Sequence, residues 1–371
     1  MTPRERVLAV LRGKVPDRIP SFDDFFDIDA EEKFIPAYAG LIARGTRPAR
    51  RHNPEQMVEM LRFLDRDIAE AGSARLRIEV IKKSENEEIV RYENGAVWRY
   101  TLKPACSEPL ALPLDNGGDP ENIPMPDPAD PERYRDLNED VAFFKSQGYF
   151  TMVKLHGFFS GAHYLFRRFE NLLMDMAADE PYAEAIIRRI GEHTLACAGE
   201  VLKRGADCIF IGDDLGSTNS LLISPAMYCR FIQPWHARLA KLCHGYEAFL
   251  HVHSHGHILP VIDDLMDAGI DMMDPLGPSD GINLNDLLPR CHGRMVIAGG
   301  ISKYIGRMTM AELDAHLKEV ISIGARHGGF ILRSEGGIPP DMSREALKFY
   351  LTRGRHYRQS KSILNLFAER E

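Results

Sequence analysis

With 371 residues, 44% of them hydrophobic, the chain is long enough to bury a large core without disulfide or metal staples. A net charge of −8 and a pI near 6.0, with both signs well mixed, argue against a nucleic-acid binder, which would present a basic face. No apolar run approaches the length of a membrane span, and six scattered cysteines without a C-x-x-C pair suit reduced thiols, so the expectation is a cytoplasmic protein.

Residues 3–13 read as a charged helix ending at Gly13, not as a signal peptide. Residues 18–23 then form a strand that runs into an acidic tip, Asp23-Asp24, and helical patterns follow over 29–44 and 54–62. A further strand is expected near 65–70. From Leu76 to Lys83, Glu88 to Tyr92 and Ala96 to Leu102 the composition turns β-rich, and Asn94-Gly95 is a hairpin signal. Residues 104–132, rich in Pro, Asp and Gly, read as a linker. Together 74–132 make a small antiparallel excursion within a single domain spanning 1–371.

Beyond residue 133 strands and helices alternate. The strands are 149–156, 207–211, 248–253, 272–274, 295–298 and 329–332; the helices are 162–177, 181–203, 225–245, 258–268, 283–290, 310–326 and 343–357. Near-continuous apolar strands separated by amphipathic helices call for a parallel sheet covered by helices. About eight strands in all predict an α/β fold, a (β/α)8 TIM-like barrel, with an open doubly wound sheet as the alternative. The absence of a glycine-rich phosphate loop after any strand weakens a nucleotide-binding version of that alternative.

In such a barrel the chemistry gathers at the C-terminal ends of the strands. Those ends carry Asp23 and Asp24, His156, Asp213 and Asp214, His253 and His255, Asp274, then Arg333 and Glu335. The run His251-Val252-His253-Ser254-His255-Gly256-His257 places imidazoles at alternate positions, which share one face of an extended chain. His253, His255 and Glu335, two imidazoles and a carboxylate, make a donor set for catalytic zinc, and non-haem iron would accept the same donors. Asp213-Asp214 equally suits a turn that caps a helix, and Asp274-Pro275 suits a turn. His156 and Phe158 are read either as ligand contacts or as packing residues. Glu335, in a Gly-rich turn just past a buried strand, is the carboxylate that stands out.

Met1 to Pro20, residues 92–98, Asp213-Asp214-Leu215-Gly216, Ile223-Ser224-Pro225, Phe249 to Gly256 and Gly336 to Pro340 together resemble the uroporphyrinogen decarboxylase superfamily, in the branch of corrinoid-dependent methyltransferases. The resemblance runs over nearly the whole chain and implies a (β/α)8 barrel with a central cleft, often in a homodimer. Methyltransferases of that branch hold zinc through an H-x-C motif and a later Gly-Cys turn. Here His253 matches, His255 takes the place of the first thiolate, and Gly336 stands where the second cysteine would, beside Glu335. The decarboxylases themselves bind a polyanionic substrate through an Arg-rich segment written R-Q-A-G-R. After Pro20 this chain reads Ser21-Phe22-Asp23-Asp24-Phe25-Phe26, which argues against a porphyrinogen substrate.

The expected function is therefore a metal-dependent, methyltransferase-like enzyme that moves a methyl group between a small methylated or methoxylated compound, or an acceptor, and a corrinoid supplied by a partner protein. His253, His255 and Glu335 would be the metal ligands. Glu335, Asp214 and His156 would be the catalytic groups, and Asp24, Phe158 and Arg333 would contact substrate. The alternatives are a metal-assisted decarboxylase or lyase acting on a small organic acid, with His156 and Arg333 on the carboxylate, and a barrel that no longer catalyses.

Overall fold

The computed structural model describes residues 1–35, 54–102, 105–178 and 181–360. In chain order its strands are β1 (Ile68–Ser73), β2 (Ile78–Lys83), β3 (Glu87–Tyr92), β4 (Val97–Leu102), β5 (Ala105–Ala111) and β6 (Phe150–His156). After these come β7 (Cys208–Gly212), β8 (Phe249–His253), β9 (Met272–Leu276), β10 (Val296–Ile301) and β11 (Phe330–Ser334). Strands β1 and β6 to β11 form one parallel sheet in sequence order, while β2 to β5 form a separate antiparallel sheet.

The parallel sheet is closed by the segment predicted as the first strand. Phe22 N–H donates to the Leu332 carbonyl and Leu332 N–H to that of Pro20, both at 2.9 Å, and on the other side Asp67 N–H reaches the Ser21 carbonyl at 2.8 Å. Ser21 thus bridges β11 to the entrance of β1 and completes an eight-membered barrel. Asp23 fixes this closure, accepting the Ser334 N–H at 2.6 Å and the hydroxyl of Tyr350 from the last described helix.

The barrel floor is plugged by helix Pro3–Leu11, which starts at a capping box between Thr2 and Glu5. Its Val7, Leu8 and Val10 pack beneath Phe22, Ile68, Phe150, Met152, Cys208 and Phe210. Carboxylates ahead of two strands secure the plug: Asp67 pairs with Arg6 at 2.5 Å, and Asp207 with Arg4 at 2.9 Å and Lys145 at 3.0 Å. Outside the barrel a larger apolar shell joins strands to helices.

The excursion differs from expectation by one strand. Ala105–Ala111, assigned to the linker, pairs with β4, because extended residues leaving the hairpin find its open edge. Asn94-Gly95 makes the turn as predicted, and Asn94 donates from Nδ2 to the Leu165 carbonyl at 2.7 Å, so the sheet is fastened to the barrel's helical coat. Trp98 stacks on Tyr164 with ring centroids 4.8 Å apart.

Two predicted helices are divided. Residues 162–177 are covered by helices Phe159–Leu165 and Phe169–Ala177, and 225–245 by a short turn, a π segment Tyr228–Ile232 and helix Gln233–Gly245. Pro234 offers no N–H to the carbonyl of Arg230, which loosens the turn there. The second predicted helix is observed as Ile28–Phe34, and residues 36–44 of that expectation lie outside the described residues. Among the described residues no helix is long and apolar enough to cross a membrane.

Candidate active site

Strand alternation builds the site in layers. Phe22, Ile68, Met152, Met272 and Ile331 belong to the barrel's inner apolar layer. Two residues further along each strand, on the same face and nearer the mouth, come Asp24, Glu70, Lys154, Asp274 and Arg333, and His253 follows His251 in the same way. The barrel is therefore dry at its base and ionic at its top. Lys154 meets Glu70 at 2.6 Å, and Arg66 meets Asp24 at 3.1 Å.

Asp274 is the hub of the ionic layer. It is fully buried, with Oδ1 2.5 Å from His251 Nε2 and Oδ2 3.1 Å from His253 Nδ1 and 2.9 Å from an Arg333 guanidinium nitrogen. Burial alone would raise its pKa. Arg333, His253 and His251 outweigh that effect and hold the carboxyl well below the usual range. His251, packed edge-on against Phe210 and Phe22, is kept neutral by desolvation in spite of the adjacent carboxylate. The sequence reading favours a structural turn role for Asp274; the signal that marks it for the site is its place as the polar residue at i+2 after the inward-facing Met272.

Above this layer opens a cleft of about 680 Å³, lined by Asp24, Phe26, His253, His255, Lys303, Tyr304, Arg307, Arg333 and Glu335, among others. Of the predicted site residues it brings together Asp24, His253, His255, Arg333 and Glu335. Asp214 stands beside them, its Oδ1 accepting the His255 N–H at 3.0 Å and lying 3.9 Å from His253 Nε2. The rings of His253 and His255 meet edge to face with centroids 4.7 Å apart. His255 reaches toward solvent, yet the surrounding protein, and then His253, lower its pKa. Lys303, Tyr304 and Arg307, on the loop after β10, were not singled out from the sequence, because nothing in their order marks a loop as facing inward.

Phe158 and His156 are placed elsewhere, which corrects their expected roles as substrate contact and catalytic group. Phe158 is fully buried, packed in the outer shell against Trp235 and His236. His156 accepts the Leu76 N–H at Nε2, 2.9 Å away, where the chain leaves the barrel for the excursion. Desolvation, then the charges of Arg75, His193 and Arg133, push its pKa far down. Asp213 proves to be the structural member of its pair. Fully buried, it accepts the N–H groups of Phe158 and Ser160, each at 2.9 Å, and contacts His236 Nε2 at 3.0 Å.

Glu335 turns away from the histidines. Its oxygens accept the Ser279 N–H at 2.9 and 3.2 Å and the Lys303 N–H at 3.2 Å, clamping the loops after β9 and β10 together. Burial raises its pKa, against those hydrogen bonds. With both Glu335 oxygens so employed, the zinc or iron set expected of His253, His255 and Glu335 is not assembled. Among the described residues no three His, Cys, Asp or Glu side chains are gathered as a metal-ion site. The residues present do not fit the metal centre that the resemblance implies.

A second expectation also changes. Asp23 and Asp24 were expected to repel a polyanion, but Asp23 is buried in the barrel closure and Asp24 is paired with Arg66. The cleft carries the cations Lys303, Arg307 and Arg333 beside the carboxylates Asp24, Glu335 and Asp341, with Arg307 3.3 Å from Asp341.

The family model described as uroporphyrinogen decarboxylase (URO-D) matches residues 111–357. Among solved structures the chain is similar to a methyltransferase from Methanosarcina mazei, with a TM-score of 0.67 and 16% identity over 96% of this chain and 99% of that one. It also matches a B12-independent methionine synthase from Shewanella sp. W3-18-1, with a TM-score of 0.46 and 15% identity over 85% of each chain. No curated protein sequence matches it.

Proposed function

The chain belongs to the uroporphyrinogen decarboxylase family, and on that premise we propose that it is a methyltransferase-like enzyme acting on a small methoxylated anion. The cleft at the strand C-termini holds the substrate, as such clefts do in barrel enzymes. The observation that carries this reading is the setting of His253, whose Nδ1 is committed to a buried carboxylate while its ring lines the cleft.

A proton on His253 Nδ1 donates to Asp274, which leaves Nε2 to exchange a proton with the ligand. When the oxygen–methyl bond breaks, its electron pair stays on oxygen, and His253, entering the step as the imidazolium, gives its Nε2 proton to that oxygen and is left as the neutral ring with its proton on Nδ1. A corrinoid held by a separate carrier protein would be the methyl acceptor, supplying the electron pair for the new bond to carbon. Arg333 and Lys303 draw the substrate's negative group, and Asp214 steadies the backbone of His255 beside His253.

A decarboxylase or other lyase acting on a small organic acid is the second reading, favoured by the cations of the cleft. The two separate in one assay. The protein, methoxylated carboxylic acids carrying a labelled methyl group and added cob(I)alamin should give labelled cobalamin faster than the protein-free mixture, and His253→Ala should abolish the difference. Release of carbon dioxide with no label on the cobalamin would replace the first reading with the second.

A further inference from the structure

A second cavity, of about 760 Å³ and larger than the cleft, opens at the other end of the barrel and shares no residue with it. Asp271 stands just before β9, Val296 opens β10 and Phe330 opens β11, so its walls are built at the N-terminal ends of three strands. Helix Pro3–Leu11 ends in it, and the loop that follows, Arg12 to Pro16, forms its rim. That end of a barrel ordinarily serves stability, and the chemistry proposed for the cleft makes no use of it.

The chain carries a net charge of −8, yet this cavity is basic. Arg12 and Lys14 line it, are exposed, and have no carboxylate partner among the described residues. Arg294 lines it as well, with one guanidinium nitrogen 2.5 Å from Asp267. The carboxylate in the wall, Asp271, is already engaged: it lies 2.9 Å from His244 Nε2 and accepts the Leu250 N–H at 2.7 Å. The positive charge of Arg12 and Lys14 is therefore left for something from outside.

The backbone supplies further donors. Gly293 and Gly329, at the starts of two strands, have φ of 72° and 58°, a conformation that keeps side chains out. Their N–H groups donate to no acceptor among the described residues, and a Cβ at Gly293 would meet nothing within 4 Å. Bare glycine amides beside Arg and Lys are a recurring way to hold a phosphoryl group. Leu11 and Val15, the latter 41% exposed, add an apolar strip to the same rim.

We propose that this cavity binds a small phosphate monoester, its phosphoryl oxygens on Arg12, Lys14 and the glycine N–H groups and its organic part against Leu11 and Val15. A phosphoryl dianion has three terminal oxygens and nearly two charges, so it engages two cations and backbone donors together, where a carboxylate has two oxygens and one charge. A concave site of this volume suits a whole small molecule, which favours a soluble ester over a lipid headgroup. The site is independent of the reaction proposed for the cleft.

The experiment is a calorimetric titration of the full-length protein at low ionic strength with phenyl phosphate, inorganic phosphate and phenyl sulfate. Phenyl phosphate should bind tightest, with inorganic phosphate weaker by about 3- to 10-fold for want of an apolar part, and the singly charged sulfate ester weaker by a similar factor. Arg12→Gln and Lys14→Met should each weaken phenyl phosphate by about 10-fold with the melting temperature unchanged, since both side chains are exposed. Lys303→Met, in the cleft, should leave that affinity as it was. No binding of phenyl phosphate, equal binding of the sulfate ester, or binding that only Lys303→Met removes overturns the inference. Phosphatidate vesicles should not retain the protein on sedimentation; retention lost in the Arg12 and Lys14 variants would move the ligand to a membrane surface and overturn it too.

Discussion

His253 Nδ1 lies 3.1 Å from Oδ2 of Asp274, and that contact decides which nitrogen of the imidazole is left for chemistry. The pair should behave as one unit. Asp274→Asn keeps the shape but removes the charge that holds the ring and its tautomer, so kcat/KM should fall by about 100-fold or more. His253→Ala should lose a similar amount, and the double variant little more, because the second change removes a group already disabled. Steady-state kinetics on the three variants checks this; fully additive losses would mean that the residues act separately. Asp274→Asn should also lower stability by about 3 kcal/mol, since Arg333 would then sit half-buried beside a neutral group.

Asp213 and Asp214 are adjacent in sequence and opposite in role. Asp213 supports two backbone N–H groups and His236 inside the shell, so Asp213→Ala should cost about 2–4 kcal/mol in denaturant unfolding. The Asp214 side chain is 49% exposed and touches the His253–His255 corner, so Asp214→Asn should change stability by less than about 0.5 kcal/mol while slowing turnover. The reverse pattern would exchange their roles.

The periodicity of the chain revealed the barrel because each parallel strand is a short apolar run and each crossover a helix. The excursion's fourth strand was hidden, since Ala105–Ala111 contains a proline and has no partner in sequence to announce its pairing. Within the site, the half set by strand register was legible: Asp24 and Arg333 follow the inward apolar residues Phe22 and Ile331 by two, and His253 follows the inward His251 by two. The half set by loops was not. Whether Glu335 faces the histidines or the amides of Ser279 and Lys303 depends on how two loops approach, and no local pattern encodes that approach.

The unassembled metal site gives a gain-of-function test. The resemblance places thiolates at positions 255 and 336, and a side chain at Gly336 would make only ordinary contacts. The double substitution His255→Cys with Gly336→Cys, beside His253, should therefore create a His-Cys-Cys set that retains about one zinc per chain through desalting. The unaltered chain should retain much less under the same treatment. Stoichiometric zinc in the unaltered chain that is lost in both His253→Ala and Glu335→Ala would show that Glu335 swings into the site after all.

Acid should destabilise this protein well above the range where carboxylates titrate. His163 and His193 have pKa values lowered to about 4, foremost because burial disfavours the imidazolium. In the unfolded chain each takes a proton near pH 6.5, whereas the folded chain refuses it until about pH 4. Stability should therefore decline as pH falls through that window, by up to about 3 kcal/mol for each histidine. Glu335 works the other way. Its raised pKa means that the folded state takes up a proton more readily than the unfolded one. Its contribution is thus present below the unfolded carboxyl value and is lost as pH rises through the folded one. Melting temperatures measured between about pH 7.5 and 4.5 should fall on acidification, less steeply in His193→Gln and more steeply in Glu335→Gln. A flat profile in the unaltered protein would show that these histidines are hydrated rather than sealed, and slopes that moved together in the two variants would remove Glu335 from the account.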